Sequence, residues 1–344
     1  MAPIHYAPVG TAGASPHAAS AQTAPKLELG DPRLITYLRV SVTDRCNLRC
    51  QYCMPEDQEF VAHDSLLTFE EITAVATVLV EQGVRKIRLT GGEPLLRRDV
   101  VKLIGMLKAI PGEPKVVMTT NGMLLGRHAT ALRDAGLDRL NVSLDTLQPE
   151  RFATLARRGG LEPTLAGIEA AAAAGFTRTK INTVVMGGIN DDEIPDMLDF
   201  AAAHDLEQRF IEFMPMTSNG YGNRAERVPL EEIRRRIEAH APLAPRLRGS
   251  GPADTFVVAD TGMKVGIIAA ISLPFCETCN RLRLTSEGVL RSCLFEGGEV
   301  SVREMLRNGD DIEGNLRRTA DYLRRVKPPV HEGLGHAHMN RIGG

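Results

Sequence analysis

From Leu34 onward, short apolar segments typical of strands alternate with longer amphipathic segments typical of helices. Strands are predicted at six places along the chain, at residues 35–42, 84–90, 115–120, 137–144, 178–186 and 206–214. Helices are predicted between them, at residues 69–82, 99–109, 124–135, 163–174 and 192–204. Thr68 followed by Glu71 predicts a capping box at the start of the first helix. Six successive βα units imply a parallel sheet, so we expect an α/β fold with a partial (β/α)6 TIM-like barrel.

The pattern changes after Pro229. One more helix is predicted at residues 231–239, and the stretch 241–252, rich in Pro, Gly and Arg, is predicted to be a linker or loop. Short strands are expected at residues 255–258 and 264–271, and helices at 302–306 and 314–324. We therefore divide the chain into a disordered N-terminal tail at 1–30, a barrel at 31–240, a C-terminal region at 241–330 and a flexible tail at 331–344.

Side chains alternate along a strand, so each predicted strand has an apolar face and a polar face. Helices outside the barrel cover the apolar faces, and the polar faces then point inward. The predicted inward cations are Arg39, Arg88 and Lys180, and on the sixth strand the alternation places Glu212 and Met214 on one face. Unpaired buried charges are costly, which favours a wet lumen that holds an anionic ligand. Ion pairs with Asp and Glu at the strand ends are the alternative.

Composition limits the kinds of function. A length of 344 residues and a hydrophobic content of 43% allow a sizeable core, and a net charge of −2 gives no reason to expect nucleic-acid binding. No apolar run is long enough to cross a bilayer and no signal-peptide pattern begins the chain, so we expect a cytoplasmic protein with no membrane partner. Thiols stay reduced in the cytoplasm, which favours metal ligation over three disulfides for the six cysteines.

The cysteines form two triplets, Cys46, Cys50 and Cys53 followed by Cys276, Cys279 and Cys293. A 4Fe-4S cluster held by three thiolates keeps one iron without a protein ligand, and a small molecule can bind there. We therefore predict two 4Fe-4S clusters, with all six cysteines as metal ligands and an open iron in each cluster. A zinc site made of the first triplet and His63 is the alternative.

The C-x3-C-x2-C spacing of the first triplet, directly after the first strand, resembles the signature of the radical S-adenosylmethionine (radical SAM) superfamily. The segment Thr90-Gly91-Gly92-Glu93-Pro94, after the second strand, resembles the GGEP loop of that superfamily. The resemblance implies a barrel of the radical SAM type that binds S-adenosylmethionine and cleaves it with one electron to a 5'-deoxyadenosyl radical. It also implies that this cofactor is bound by Tyr52, Gly92, Glu93, Ser143 and Met214.

The second triplet is more specific. Residues 275–285 with Cys293, residues 38–44 and the terminal Gly343-Gly344 resemble the GTP 3',8-cyclase family of the superfamily. The resemblance implies GTP as substrate, bound by Arg39, Arg88, Thr119, Lys180, Arg281 and Arg283, with Arg281, Arg283, Gly343 and Gly344 in catalysis. The implied reaction joins C3' of the ribose to C8 of guanine and gives (8S)-3',8-cyclo-7,8-dihydroguanosine 5'-triphosphate. This would be the first step of molybdenum cofactor biosynthesis.

The same resemblance implies cyclic pyranopterin monophosphate synthase as the downstream enzyme, an electron donor that the sequence does not identify, and a monomer or homodimer. Two other functions stay open. A peptide-modifying radical maturase would carry more cysteines in its C-terminal part, and an iron-sulfur electron carrier or sensor would need neither the GGEP loop nor a barrel. Single features also have plainer explanations: a solvated strand face for Arg281 and Arg283, a frayed end for Gly343-Gly344, and a polar tail rather than a metal tract for His331, His336 and His338.

Overall fold

Each of the six strands that the apolar pattern predicts up to residue 214 is formed in the structure, a computed structural model that describes residues 33–214, 227–247, 251–295, 298–309, 311–329 and Met339. These strands are β1 Tyr37–Ser41, β2 Lys86–Thr90, β3 Lys115–Thr120, β4 Arg139–Ser143, β5 Lys180–Val185 and β6 Glu207–Glu212. The C-terminal part adds β7 Leu243–Leu247, β8 Asp254–Val258, β9 Lys264–Ile268, β10 Arg281–Leu284, β11 Val289–Arg291 and β12 Glu299–Ser301.

All of these strands belong to one sheet with a parallel centre and antiparallel edges. Its order is β12-β11-β10-β1-β2-β3-β4-β5-β6-β9-β8-β7. Strands β1 to β6 pair in chain order, and β10 and β9 extend them in parallel on either side. Strands β11, β12, β8 and β7 continue the sheet in antiparallel pairs. Among the residues that the structure describes, β9 and β10 do not pair with each other, so the sheet is an open, partial barrel. The predicted α/β class is confirmed.

The helices within the same ranges are α1 Phe69–Glu81, α2 Val100–Lys108, α3 Leu125–Asp134, α4 Pro149–Ala156, α5 Leu161–Ala173, α6 Ile194–Ala203, α7 Leu230–His240, α8 Arg303–Asn308 and α9 Ile312–Arg325. The predicted capping box is present, because the Thr68 hydroxyl accepts from the Glu71 N–H at 3.1 Å and the Glu71 carboxylate accepts from the Thr68 N–H at 2.7 Å. The pattern does not predict α4, which is too short to show a helical period. None of these helices is both long enough and apolar enough to span a membrane.

The two faces of the parallel strands have different surroundings. Leu38, Val40, Ile87 and Leu89 are fully buried in the core, where the helices pack. The alternate residues of the same strands line a cavity inside the sheet. The predicted division of faces is therefore confirmed for the first two strands, and the inner faces are available for chemistry.

On β6 the predicted division is wrong. Arg209 and Ile211 line the cavity, whereas Glu212 is fully buried and does not line it. Its carboxylate accepts hydrogen bonds from the backbone N–H groups of Ile271 and Ser272 at 3.0 and 2.8 Å. A buried carboxylate is tolerated where several donors satisfy it. Glu212 therefore ties the segment after β9 to the end of β6.

The predicted loop at 241–252 is also wrong in part, because residues 243–247 form the edge strand β7. Leu243 lies opposite Val258 and Ala244 opposite Val257, and the register shifts between Ala244 and Leu247. An edge strand tolerates proline, since one of its sides makes no ladder hydrogen bonds. Residues 248–250, the predicted N-terminal tail and the predicted C-terminal tail other than Met339 lie outside the described residues.

Replacing Glu212 by Ala is expected to lower the free energy of unfolding by about 3 kcal/mol, because two buried backbone donors lose a charged acceptor. Glu238→Ala is the matched control on α7, where the exposed carboxylate lies 2.9 Å from Arg234. An exposed pair of this kind contributes about 0.5 kcal/mol. Chemical denaturation followed by circular dichroism measures both variants, and equal losses would contradict the role of Glu212.

Candidate active site

A cavity of about 740 Å³ is lined by the inner faces of the parallel strands and by the loops that follow them. All six cysteines line it, as do the residues expected to contact the nucleotide, Arg39, Arg88, Thr119, Lys180, Arg281 and Arg283. Four residues expected to bind the cofactor also line it, namely Tyr52, Gly92, Ser143 and Met214. This volume is typical of sites for cofactors and small substrates. The fold therefore brings residues from both ends of the chain into one space.

The first triplet lies on the loop after β1. The Cys53 N–H donates to the Cys50 carbonyl at 2.9 Å, which closes a tight turn. The Cys46 sulfur accepts from the Leu48 N–H at 3.4 Å and lies 3.8 Å from the amide nitrogen of Asn121. Burial raises the pKa of Cys46 to about 11 and that of Cys50 well above its usual range. Thiols in such surroundings need a bound metal centre to become thiolates.

Two glycines fasten this loop to the end of β2. The Gly92 N–H donates to the Thr43 carbonyl at 2.8 Å. A Cβ on Gly92 would lie 2.1 Å from the Arg45 carbonyl oxygen, and a Cβ on Gly91 would lie 2.5 Å from that of Thr43. Only glycine allows two backbones to come so close. The Gly91-Gly92 turn therefore sets the position of the chain immediately before the first cysteine.

Glu93 is not among the residues that line the cavity. Its buried carboxylate accepts from the Thr120 hydroxyl at 2.7 Å and from the N–H groups of Asn121 and Leu95 at 2.8 and 3.0 Å. Burial raises the pKa of Glu93 to about 7, although these three donors favour its charged form. Glu93 joins the ends of β2 and β3 and so positions Asn121, which reaches the Cys46 sulfur. The direct contact of Glu93 with the cofactor stays a prediction.

The second triplet depends on β10 and β11. Cys279 lies just before β10 and Cys293 just after β11, and these strands are antiparallel with Arg283 opposite Arg291. The start of β10 and the end of β11 therefore lie together. Because β10 is parallel to β1, this place is at the opposite end of the strand pair from the first triplet. Strands of this length separate the two triplets by roughly 15 Å along the strand direction.

The loop after β11 reaches across the open side of the sheet. Phe295 packs against Ile271 and Met214, which follow β9 and β6, and against Cys293. Met214 is therefore close to the ring that also contacts the second triplet. The adenine contact expected of Met214 stays a prediction.

Three arginines occupy one register row across β10, β1 and β2. Arg283 lies opposite Arg39, and Arg39 lies opposite Arg88; we call these residues the arginine row. Neighbouring strands are about 4.8 Å apart, so the row places like charges side by side. Burial lowers the pKa of Arg39 to about 10 and that of Arg283 well below its usual range, and the charges of neighbouring arginines add to this effect, which Tyr37 partly offsets at Arg39. A bound anion would relieve this repulsion.

Tyr37 and Thr119 hold Arg88 in the row. The Arg88 guanidinium donates to the Tyr37 hydroxyl through Nε, to the Thr119 hydroxyl at 2.9 Å and to the Met118 carbonyl at 3.3 Å. Burial opposes ionisation of Tyr37, but the charges of Arg88 and Arg39 outweigh it and lower the pKa of the phenol to about 8. The alternation of β1 places Tyr37 on the inner face, yet nothing in the sequence distinguishes it from a packing residue.

Lys180 forms an ion pair, the alternative that the sequence left open. It lies opposite Glu207 in the register of β5 and β6 and pairs with that carboxylate, which also pairs with Arg209 at 2.8 Å. Burial and the charge of Arg209 lower the pKa of Lys180 to about 8. Lys180 thus lines the cavity with a counter-ion supplied by the fold.

Several polar atoms at the cavity have no hydrogen-bond partner within the described ranges. They are the side-chain oxygens of Asn141, Asn182 and Ser292 and the Nε atom of Arg281. Buried polar atoms are normally satisfied, so these positions fit a ligand rich in polar groups. The three sulfurs of the first triplet line this cavity on a loop held by the close glycine turn, and this donor set fits an iron-sulfur cluster.

The alternatives for the cysteines gain no support. All six are free cysteines, so no disulfide forms among them. His63 is highly exposed and its nearest charged partner is Asp64 at 3.9 Å. Within residues 33–329, leaving out the gaps stated above, no three His, Cys, Asp or Glu side chains are placed to hold a single metal ion. Such placement does not bear on a cluster of four irons, whose ligands stand farther apart.

Two further residues at the cavity are not singled out by the sequence. The Asp145 carboxylate accepts from the Tyr52 hydroxyl at 2.7 Å and from the Val184 N–H at 2.9 Å, and it fixes Tyr52 beside the first triplet. Its place two residues after Ser143, just beyond β4 and in phase with the inner face of that strand, is a signal that could have identified it. Lys327 lies beside the second triplet, and no local pattern marks it. Gly343, Gly344, His331, His336 and His338 lie outside the described residues.

Comparison with known proteins agrees with this geometry. The chain matches the family model of the Radical SAM superfamily over residues 40–201 and that of Molybdenum Cofactor Synthesis C over residues 206–333. It is 45% identical over 322 residues to a GTP 3',8-cyclase of Heliobacterium modesticaldum, with 91% of this chain and 98% of the relative covered. It is 47% identical over 305 residues to GTP 3',8-cyclase 1 of Pseudomonas aeruginosa, with 88% and 93% covered.

The fold is also found in a solved structure of low sequence identity. It is that of Streptococcus suis SuiB bound to S-adenosylmethionine, which matches with a TM-score of 0.61 at 15% identity and covers 86% of this chain and 72% of that one.

Replacing Gly92 by Ala is expected to remove most of the iron bound by the first triplet, because the added methyl group would collide with the Arg45 carbonyl. Gly105→Ala in α2 is the matched control, since a Cβ there meets no atom within 4 Å. The control should bind the same iron as the parent chain and gain up to about 1 kcal/mol of helix stability. Iron and sulfide analysis after anaerobic reconstitution measures both, and full iron content in the Gly92 variant would contradict the role of the turn.

Proposed function

This chain belongs to the GTP 3',8-cyclase family of the radical SAM superfamily, and we infer that it converts GTP into (8S)-3',8-cyclo-7,8-dihydroguanosine 5'-triphosphate. The reaction is the first step of molybdenum cofactor biosynthesis, in keeping with the match of the C-terminal part to Molybdenum Cofactor Synthesis C. Family membership implies a 4Fe-4S cluster with S-adenosylmethionine at the first triplet and a second 4Fe-4S cluster at the other triplet.

The arginine row is the observation that carries this proposal. Three guanidiniums in neighbouring register positions repel one another. A bound anion of comparable charge offsets that repulsion. A triphosphate has that charge, and guanidinium forks bond two phosphate oxygens at once. The row crosses β10 and β1 between the two ends of this strand pair, where the two triplets lie, so a nucleotide held there lies between both metal centres.

The remaining substrate contacts are assigned by position in the cavity. We assign Thr119 and Lys180 to the nucleotide together with the arginine row, and Arg281 and Arg283 to the catalytic end beside the second triplet. Arg281 offers an Nε atom without a partner among the described residues. Lys180 already pairs with Glu207, so its contribution to phosphate binding is weaker than that of an arginine in the row.

The cofactor contacts belong to the other end of the cavity. When bound, the first cluster and S-adenosylmethionine supply a one-electron cleavage whose radical product can take a hydrogen atom from the ribose. We assign the contacts with S-adenosylmethionine to Tyr52, Gly92, Glu93, Ser143 and Met214, and Glu93 also supports the turn that holds Gly92. The hydrogen bond from Tyr52 to Asp145 fixes the orientation of the ring in the cavity.

Several partners extend this proposal. The product is expected to pass to cyclic pyranopterin monophosphate synthase, and an unidentified donor supplies the electron. A monomer or homodimer and a place in the cytoplasm stay predictions. Cluster ligation needs reduced thiols, which favours the cytoplasm.

The two rival functions are less well supported. A peptide-modifying maturase shares the barrel, but the curated relatives that match nearly the whole chain are named GTP 3',8-cyclase. An electron carrier or sensor would not require a cavity of about 740 Å³ lined by arginines. Both rivals predict that GTP has no effect on cofactor cleavage.

The reconstituted and reduced protein is expected to form 5'-deoxyadenosine from S-adenosylmethionine only when GTP is present. Guanosine at the same concentration should not replace GTP, because it has no phosphates for the arginine row. Liquid chromatography of the reaction mixture measures both the nucleoside and the cyclised product. Formation of 5'-deoxyadenosine at the same rate without any nucleotide would contradict the proposal.

Arg39→Gln tests the row itself and is expected to raise the KM for GTP at least about tenfold, the effect of one lost charge-assisted contact. Arg318→Gln is the matched control on α9, where an exposed guanidinium lies 3.1 Å from Asp311. That variant should change the KM by less than about twofold.

Deleting Gly343 and Gly344 is expected to leave the iron content of both triplets unchanged and to abolish cyclisation. We assign the diglycine to the catalytic pocket, where backbone without side chains can approach the substrate closely. Replacing both glycines by alanine keeps the chain length and tests whether glycine itself is needed. Normal turnover by the truncated chain would refute this assignment.

A further inference from the structure

Lys327 connects the two chain segments that carry cysteines of the second triplet. Its side chain is 6% exposed and lines the cavity directly after α9. The ammonium donates to the Arg281 carbonyl at 2.8 Å and to the Ser292 carbonyl. Arg281 comes two residues after Cys279, and Ser292 comes immediately before Cys293. One ammonium group therefore fixes the distance between the segments that present these two sulfurs.

Both hydrogen-bond acceptors of the Lys327 ammonium are neutral carbonyl groups, so they do not balance its positive charge. A buried ammonium is costly unless an anion accompanies it. The sulfurs of Cys279 and Cys293 are near enough to the ammonium to interact with its charge. Thiolates at these two positions would supply the missing negative charge, and a metal-bound cysteine is a thiolate.

Direct binding of phosphate by Lys327 is less favourable than this role. An ammonium has three donors, and here two of them are used by carbonyl oxygens. The guanidinium groups of Arg281 and Arg283 line the same cavity and are better suited to phosphate. The hydrogen bonds of Lys327 thus go to the backbone beside two of the expected metal ligands.

We propose that Lys327 is a positioning residue for the second cluster, holding the segments of Cys279 and Cys293 at ligating distance and placing a positive charge beside their sulfurs. The inference rests on the proposed function, which places an iron-sulfur cluster at this triplet. Positive charge and N–H donors beside the ligand sulfurs stabilise the reduced, more negative state of a cluster. Lys327 therefore raises the reduction potential of the second cluster without altering the first.

Three variants of the full-length, anaerobically reconstituted protein test this role. Lys327→Met removes the charge and the donors, Lys327→Arg keeps the charge, and Lys102→Met is the control at an exposed position on α2. Iron content and the midpoint potential of each cluster are measured by redox titration with electron paramagnetic resonance, in the absence of GTP. Lys327→Met is expected to lower the equilibrium constant for one-electron reduction of the second cluster at least about tenfold. This corresponds to a decrease of about 59 mV in the midpoint potential of that cluster. The first cluster should not change.

Each outcome decides the inference. Loss of about half of the iron in Lys327→Met, with retention in Lys327→Arg, supports it as well. Unchanged iron and unchanged potentials in Lys327→Met overturn it, and so does loss of the second cluster from both variants. If Lys327→Met does not fold, Lys327→Arg decides alone, by keeping or losing the parent potential. A single cluster in the parent chain would instead overturn the two-cluster assignment in the proposed function.

Discussion

Repulsion within the arginine row is the constraint on which the site depends. Hydrogen bonds of β10 to β1 and of β1 to β2 fix Arg283, Arg39 and Arg88 at neighbouring positions. A slip of one residue would separate the guanidiniums, but it would also turn the apolar faces of these strands out of the core. Packing of Leu38 and Ile87, both fully buried, therefore maintains an unfavourable arrangement of charge on the opposite face. Packing of the hydrophobic core thus holds the arginine row in an arrangement that favours anion binding.

The same strand pairing separates the two metal centres. Parallel pairing of β10 with β1 places the loop before β10 and the loop after β1 at opposite ends of one strand pair. Antiparallel pairing of β11 returns the chain to the start of β10, so Cys293 joins Cys279 although thirteen other residues intervene. A helical crossover at this point would have carried Cys293 elsewhere. Backbone topology alone thus divides six cysteines into two groups on one cavity.

The local sequence determines which part of this arrangement can be predicted. Alternation of polar and apolar residues identifies Arg39 and Arg88 as inward residues, because both strands are buried on their other face. The glycine turn after β2 can be recognised from its sequence motif. The same alternation rule fails for Glu212. Its backbone donors lie 59 and 60 residues away and cannot be inferred from the strand that contains Glu212. Lys327 is hidden for the same reason, since its acceptor at Arg281 is 46 residues distant. Buried charges satisfied by remote backbone leave no local signature.

Charge is divided unevenly between the two ends of the cavity. Buried carboxylates of Glu93 and Asp145 lie beside the first triplet, and their charges add to the effect of burial in raising the pKa of Cys46 and of Cys50. Burial also opposes ionisation of Cys279, but the charges of Lys327 and Arg281 outweigh it and lower the pKa of that thiol. In the proposed reaction, a cationic sulfonium is favoured near the carboxylates and a triphosphate near the guanidiniums. The opposite electrostatic potentials at the two ends would therefore favour S-adenosylmethionine at one end and GTP at the other, with their reacting atoms between the two clusters.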